Sequence, residues 1–256
     1  MSHHATVPAT PAPAERPRRG ALARMLGVLF SPAETFAELA RHPAWIAPVL
    51  LYTALSLAIT YSFTERVGWE RYLQRQMERN PRFAQQLEQV PAEQRSAVLQ
   101  RRADISKRVG YGIGTLSYAV IIAVVAGVML LAMNVLGSAA LRYKTALAIT
   151  AHAYMPWALS GLGGLAVIYL KDPSDVDIQD LLASHAGAFL SEETSPALRA
   201  LAGELDLFTF WTLFLLAVGF AAAAPKKLTT GKAFGIALVP WGVYVLGKVG
   251  LAAVFG

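Results

Sequence analysis

The chain has 256 residues, of which 55% are apolar and 16% charged, and it contains no cysteine. A soluble domain of this size cannot bury so large an apolar fraction in one core. The lack of cysteine excludes disulfide scaffolds, thiol nucleophiles and cysteine metal sites. The net charge of +6 is spread over several loops, so we do not expect nucleic acid as a partner.

The N-terminal region is predicted to precede the membrane domain. Residues 1–20 are rich in Pro, Ala and Arg and have little to bury, which is typical of a disordered basic arm. Residues 21–43 predict two short interfacial helices, because their apolar side chains recur at the spacing of a helix that lies along a membrane surface. The second of these helices starts with Ser31 followed by proline, and Pro43 ends it.

The rest of the chain, residues 44–256, has the pattern of a membrane domain with five spans. A helix needs about 20 mostly apolar residues to cross the hydrocarbon layer, and strands would show an apolar–polar alternation that is absent here. The predicted spans are residues 45–63, 111–137, 146–170, 207–224 and 233–256. The sequence therefore predicts an all-α integral membrane protein that stays in contact with the lipid bilayer.

Two polar segments separate the spans. Residues 64–109 carry apolar positions at helical spacing, and Pro81 and Pro91 should break them into the pieces of a helical extramembrane insertion. Residues 171–206 hold two basic and eight acidic residues and are predicted to be extramembrane as well. Asp206 is placed to cap the fourth span, because its side-chain oxygen can accept a free backbone N–H.

Charge distribution predicts the orientation. The basic N-terminal arm, the turn with Arg142 and Lys144, and the lysine loop 225–232 alternate with the acidic segment 171–206. Short basic loops stay in the cytoplasm, so the N-terminus is predicted to be cytoplasmic and the C-terminus outside. The basic residues at 101–108 oppose this orientation, but they lie in a longer loop of mixed charge, where the rule is weaker.

Three stretches resemble a known family. The entry "SPAETFAELARHPAWIAPVLL", the stretch "AHAYMPWAL" and the closing "DLFTFWTLFLLAVGF…GKAFGIALVPWGVYVLGKVGLAAVF" are similar to bacterial members of the YIP family, the Ypt/Rab-interacting membrane proteins. The resemblance covers residues 29–255 and implies five spans with a cytosolic N-terminus, in a bacterial cytoplasmic membrane. Eukaryotic members are linked to vesicle traffic and bind Rab-type GTPases through cytosolic N-terminal regions. The short arm of this chain is unlike those regions, and the insertion 64–109 departs from the compact eukaryotic relatives.

Polar residues inside spans are candidate functional residues, because placing a polar side chain in the membrane interior costs free energy. His152 could relay protons or bind a metal; alternatively it is neutral and hydrogen-bonded, while Tyr154 and Pro156 lie at a kink that shapes packing. Asn134 could contact a substrate or make a hydrogen bond between helices. Lys248 could face a polar cavity, or it could snorkel to the surface or form an ion pair.

Two pairs of glycines have the spacing that lets helices approach closely, and they favour tight packing or self-association. They are Gly110 with Gly114 and Gly231 with Gly235. Both pairs lie at predicted span ends.

The sequence contains no recognisable catalytic motif, so we expect no enzyme, no cofactor and no metal. One hypothesis is a non-enzymatic protein that organises or binds other membrane components, with residues 64–109 and 171–206 as an outer face for a protein partner or for self-association. The alternative is a small oligomeric transporter, channel or lipid-handling protein with a polar path near His152.

Overall fold

The computed structural model describes residues 19–79, 85, 89–191 and 193–255. Most of the predicted arm 1–20 lies outside the described residues. Over the described part of the chain the secondary structure is helical, apart from one isolated bridge between His185 and Asp206. The all-α prediction is thus confirmed for these residues.

Ten α-helices are found in the described part of the chain. They are α1 (Ala21–Phe30), α2 (Pro32–Arg41), α3 (Ile46–Arg66), α4 (Trp69–Arg79), α5 (Ala92–Val135), α6 (Tyr143–Ala153), α7 (Met155–Leu170), α8 (Pro196–Glu204), α9 (Leu207–Ala223) and α10 (Thr230–Phe255). Short 3₁₀ turns at Pro173–Asp175 and Ala186–Phe189 lie between α7 and α8.

Four helical stretches of the described chain are long and apolar enough to cross a membrane. They are Ile46–Arg66, Ala92–Val135, Tyr143–Leu170 and Thr230–Phe255. Helix α9 is equally apolar but has 17 residues, which makes it about 26 Å long at 1.5 Å per residue. These stretches coincide with the predicted spans, although α5 extends 19 residues before the predicted start of its span at Tyr111.

The third predicted span is two helices. Helix α6 ends at Ala153, and α7 begins at Met155 with Pro156 in its first turn. Proline has no N–H to donate, and its ring crowds the carbonyl one turn earlier, so an unbroken helix is disfavoured here. The predicted kink is therefore a break in the helix at Tyr154.

Helix α2 packs deeply onto the bundle. Phe36 and Leu39 are fully buried, and Thr35 between the two N-terminal helices is buried as well. The close approach is possible because Gly219 of α9 has no side chain: a Cβ there would lie 2.5 Å from Cγ2 of Ile149 and 3.0 Å from the Phe36 ring. Both predicted N-terminal helices are present, and their position at the membrane interface stays a prediction.

The first glycine pair packs within the chain. A Cβ at Gly110 would lie 3.2 Å from the Trp69 ring, and one at Gly114 would lie 3.1 Å from Oγ of Ser56. These glycines therefore bring α5 against α3 and the start of α4. At Gly231 and Gly235 no atom of the described residues lies within 4 Å of an added Cβ.

The two polar segments meet on one side of the bundle. The Tyr72 hydroxyl donates to Oδ1 of Asp177 at 3.2 Å, and Arg75 donates to the carbonyl of Val176 at 3.4 Å. Burial, together with the nearby Asp177 charge, raises the pKa of Tyr72 to about 12. Helix α4 and the start of α5 right after Pro91 are helical, as predicted for residues 64–109. The extramembrane position of this insertion stays a prediction, and Pro81 lies outside the described residues.

The packing at Gly219 gives a stability prediction. Gly219→Ala should lower the thermal midpoint of the detergent-purified protein, because the new methyl group overlaps stiff neighbours, at a cost of about 1–3 kcal/mol. Gly247→Ala on α10 is the matched control, since a Cβ there meets nothing within 4 Å. Equal midpoints for the two variants in a thermal-shift assay would contradict the close packing of α2, α6 and α9.

Candidate functional site

A cavity of about 1060 Å³ lies between the helices and is partly open to the outside of the bundle. Its walls come from α3, α5, α7, α9 and α10, with Tyr154 at the break between α6 and α7. Residues 178–182 with Ser184 and His185 form a roof at the end of the bundle where the two polar segments meet. Sites for small molecules are typically about 300–1,000 Å³, so this volume suits a ligand of substantial size.

The body of the cavity is apolar. Helix α5 presents residues 113, 117, 121, 125, 128 and 129 to it, at the three- and four-residue spacing of one helical face. Side chains from α3, α5 and α9 that line this part are Ile59, Ile113, Ile121, Val125, Met129, Leu213 and Leu216. A space with such walls favours hydrocarbon over water.

The roofed end is polar and acidic. Asp180, Glu204 and Asp206 line it together with Ser184 and His185. The cavity is therefore amphipathic along its length, with carboxylates at one end and branched aliphatic side chains in the body.

Asp206 fastens the roof to the bundle. Its Oδ1 accepts the backbone N–H of Thr209 at 2.9 Å, which confirms the predicted cap on α9, and its Oδ2 accepts a short hydrogen bond from the Ser184 hydroxyl. Backbone hydrogen bonds from Ala186 to Leu205 and from Leu207 to Ser184, each 3.1 Å, complete the connection. The carboxylate is buried, so losing its partners would be costly.

Two leucines hold the other side of the roof. A Cβ at Gly163 would lie 2.9 Å from Cδ1 of Leu182, and one at Gly164 would lie 3.0 Å from Cδ1 of Leu181. The glycines of α7 thus leave the space in which the roof leucines pack.

Glu204 joins the roof region to α10. Its Oε1 accepts from Nζ of Lys248 at 2.5 Å and from the Tyr244 hydroxyl at 3.4 Å. The Glu204 side chain is 13% exposed, so this ion pair is screened less than a surface pair.

Three polar atoms of the lining residues lack a partner. Oγ1 of Thr212, Nε1 of Trp241 and Nδ1 of His185 are buried and make no hydrogen bond within the described chain. A buried polar group without a partner costs about 1–3 kcal/mol. Because each of these atoms has almost no accessible surface, a ligand in the cavity would reach it only after the surrounding side chains move.

The polar residues that the sequence marked as candidates do not all lie at the cavity. Tyr154 lines the cavity, whereas His152, Pro156, Asn134 and Lys248 are not among its lining residues. His152 is buried, and its Nδ1 lies 2.9 Å from the Ala148 carbonyl of its own helix.

Asn134 has a local partner. Its side chain bonds both the N–H and the carbonyl of Leu141, at 2.8 and 3.1 Å, and so closes the connection between α5 and α6. Residues that the sequence did not single out carry the polar end: Ser184, Glu204, Thr212 and Trp241. They occur in no motif, and only their placement on converging helices brings them together.

A family model, the Yip1 domain, matches residues 26–251. The chain belongs to the Yip1 family. This match confirms the family resemblance, and together with the apolar helices it identifies an integral membrane protein of the Yip1 family. No curated protein and no solved structure matches the chain significantly. In the described part of this Yip1 protein, no group of three or more His, Asp or Glu side chains could hold a metal ion.

The role of Asp206 gives a second prediction. Asp206→Ala should lower the thermal midpoint and speed chymotrypsin cleavage between residues 178 and 190, because the cap and the Ser184 partner are both lost. Losing a cap alone costs about 1 kcal/mol. Ser195→Ala removes the exposed cap of α8 and is the matched control. If both variants resist cleavage like the unchanged protein, Asp206 does not secure the roof.

Proposed function

We propose that this Yip1 protein is a non-enzymatic membrane protein that binds another membrane component, a bilayer amphiphile, in the cavity between its helices. The observation that carries this proposal is the cavity itself, which is apolar in its body and acidic at its roofed end. An amphiphile has the same division, with chains that leave water favourably and a head that needs polar partners.

The polar end does not favour catalysis. Asp206 is held by Thr209 and Ser184, and Glu204 is held by Lys248, so these carboxylates have structural partners. General acid–base work needs a titratable group within hydrogen-bond reach of a reacting atom. Binding is the simpler use of this arrangement, and it agrees with the lipid-handling hypothesis from the sequence.

The proposed topology has five spans, with the N-terminus in the cytoplasm of a bacterial cell and the C-terminus outside. Helix α9 supports the fifth span, since it is apolar throughout and begins at the Asp206 cap and ends before Lys226 and Lys227. Its length of about 26 Å is close to the hydrocarbon thickness, and small mismatches are absorbed by local thinning. Short basic loops then lie on the cytoplasmic side.

A second candidate function is an outer face that organises other membrane proteins or further copies of this chain. The contacts of Tyr72 and Arg75 with residues 176 and 177 support it, because they join the two polar segments into one surface. Five aromatic and aliphatic side chains pack beneath this surface: Phe63, Val67, Tyr72, Ile168 and Val176.

Filling the cavity should abolish ligand binding. Ser117 of α5 lines the cavity, whereas Leu116 is 63% exposed on the outside of the same helix. We expect Ser117→Trp to lose most of the lipid that remains bound through purification, while Leu116→Trp keeps it. Native mass spectrometry of the detergent-purified full chain measures the bound lipid.

Equal lipid retention by the two tryptophan variants would place the lipid on the outer surface and contradict cavity binding. A thermal midpoint within a few degrees of the unchanged protein is required of both variants, so that loss of lipid reports the cavity.

Impermeant thiol labelling tests the topology. Because the chain has no cysteine, Ala188→Cys and Lys226→Cys each create one exposed thiol at opposite ends of the bundle. We expect labelling from outside intact cells at position 188 and labelling at position 226 after lysis. Labelling at position 226 in intact cells would reverse the proposed orientation.

A further inference from the structure

We propose that the ligand of the cavity carries a primary amine at the end of its head, as an ethanolamine-type bilayer lipid does. This inference rests on the proposed function, because it specifies the chemistry of the amphiphile that the cavity binds. It is argued from two levels of the cavity.

The outermost level is a surplus of negative charge. Three carboxylates line the roofed end, and Lys248 neutralises one of them through Glu204. His185 pairs with Asp180 at 3.3 Å. The segment that carries the roof, residues 171–206, has two basic against eight acidic residues. A cationic head is therefore attracted to this end, and an anionic head is repelled.

Two carboxylate oxygens at this level remain available. Glu204 uses Oε1 for Lys248 and Tyr244, and Asp180 uses Oδ1 for His185. Oε2 of Glu204 and Oδ2 of Asp180 have no partner among the described residues. A protonated primary amine donates strong hydrogen bonds to carboxylate oxygens. A quaternary ammonium has no N–H and cannot donate them.

A bare metal ion fits this end less well. Metal ions such as Ca²⁺ need six or more oxygen ligands, and no group of three His, Asp or Glu within the described residues has a suitable arrangement. The apolar body below the carboxylates would also remain unfilled. The cation is therefore expected to be attached to hydrocarbon.

The second level is the apolar body, which suits the chains. Its aliphatic lining includes Leu213 and Leu216 on α9 and Val125 and Met129 on α5. The amine and the chains thus meet carboxylates and hydrocarbon in the same order, and the phosphate between them is common to the three lipids compared below.

The test compares three lipids that share the same dioleoyl chains and differ in the head: ethanolamine, choline and glycerol phospholipid. Each is added in equal amount to the delipidated full chain in detergent, and native mass spectrometry counts the bound lipid. We expect at least fivefold more ethanolamine lipid than either of the other two.

Asp180→Asn and Glu204→Gln should each reduce that preference severalfold. Asp175→Asn is the matched control, since Asp175 is exposed on the same segment and does not line the cavity. Asp180 is 45% exposed, so Asp180→Asn is expected to fold. It therefore tests the lipid preference even if Glu204→Gln disturbs the fold around Lys248.

The outcomes separate the two proposals. If the three lipids bind equally and Ser117→Trp still blocks their binding, the amine head is overturned and the proposed function stands. A preference for choline would also overturn it. Binding of no lipid, with or without Ser117→Trp, would overturn the proposed function as well.

Discussion

The arrangement of the site depends on the two hydrogen bonds of the Asp206 carboxylate, one to the N–H of Thr209 and one from the hydroxyl of Ser184. The first bond starts α9 at a defined residue, and the second holds the roof over the cavity. A carboxylate buried at the end of an apolar helix must have such partners, because an unpaired charge there costs several kcal/mol. The same interaction therefore sets where the span begins and where the polar end of the cavity lies.

Glycines decide how closely the other elements approach. Gly219 admits Phe36, Gly114 admits Ser56 of α3, and Gly163 with Gly164 admits the leucines of the roof. Lipid chains are as apolar as leucine, so helices in a bilayer associate through close packing and polar contacts. The helix of the third stretch is interrupted at Tyr154, and the side chain of Tyr154 contributes to the cavity wall. Close packing at these glycines thus coexists with a cavity between the helices.

Much of the fold could be predicted from the sequence, because long apolar stretches and proline positions are local signals. Pro91 marks the start of α5, Pro43 follows α2, and Asp206 caps α9 as its position indicated. The site could not be predicted in the same way. His152 and Asn134 were prominent because a polar residue in a span is rare, yet both bond within their own helix or loop. Thr212 and Trp241 are ordinary in their local sequence, and only tertiary packing leaves their polar atoms without partners.

The central claim is that a bilayer amphiphile lies inside the bundle. The most direct measurement is photocrosslinking in native membranes with a lipid that carries a diazirine in its acyl chain, followed by peptide mapping. The account predicts crosslinks at inward residues of α5 and α9, such as Met129 and Leu213, that an excess of unlabelled ethanolamine lipid suppresses. Crosslinks confined to outward residues such as Leu116 and Leu131, with none at the inward positions, would contradict it.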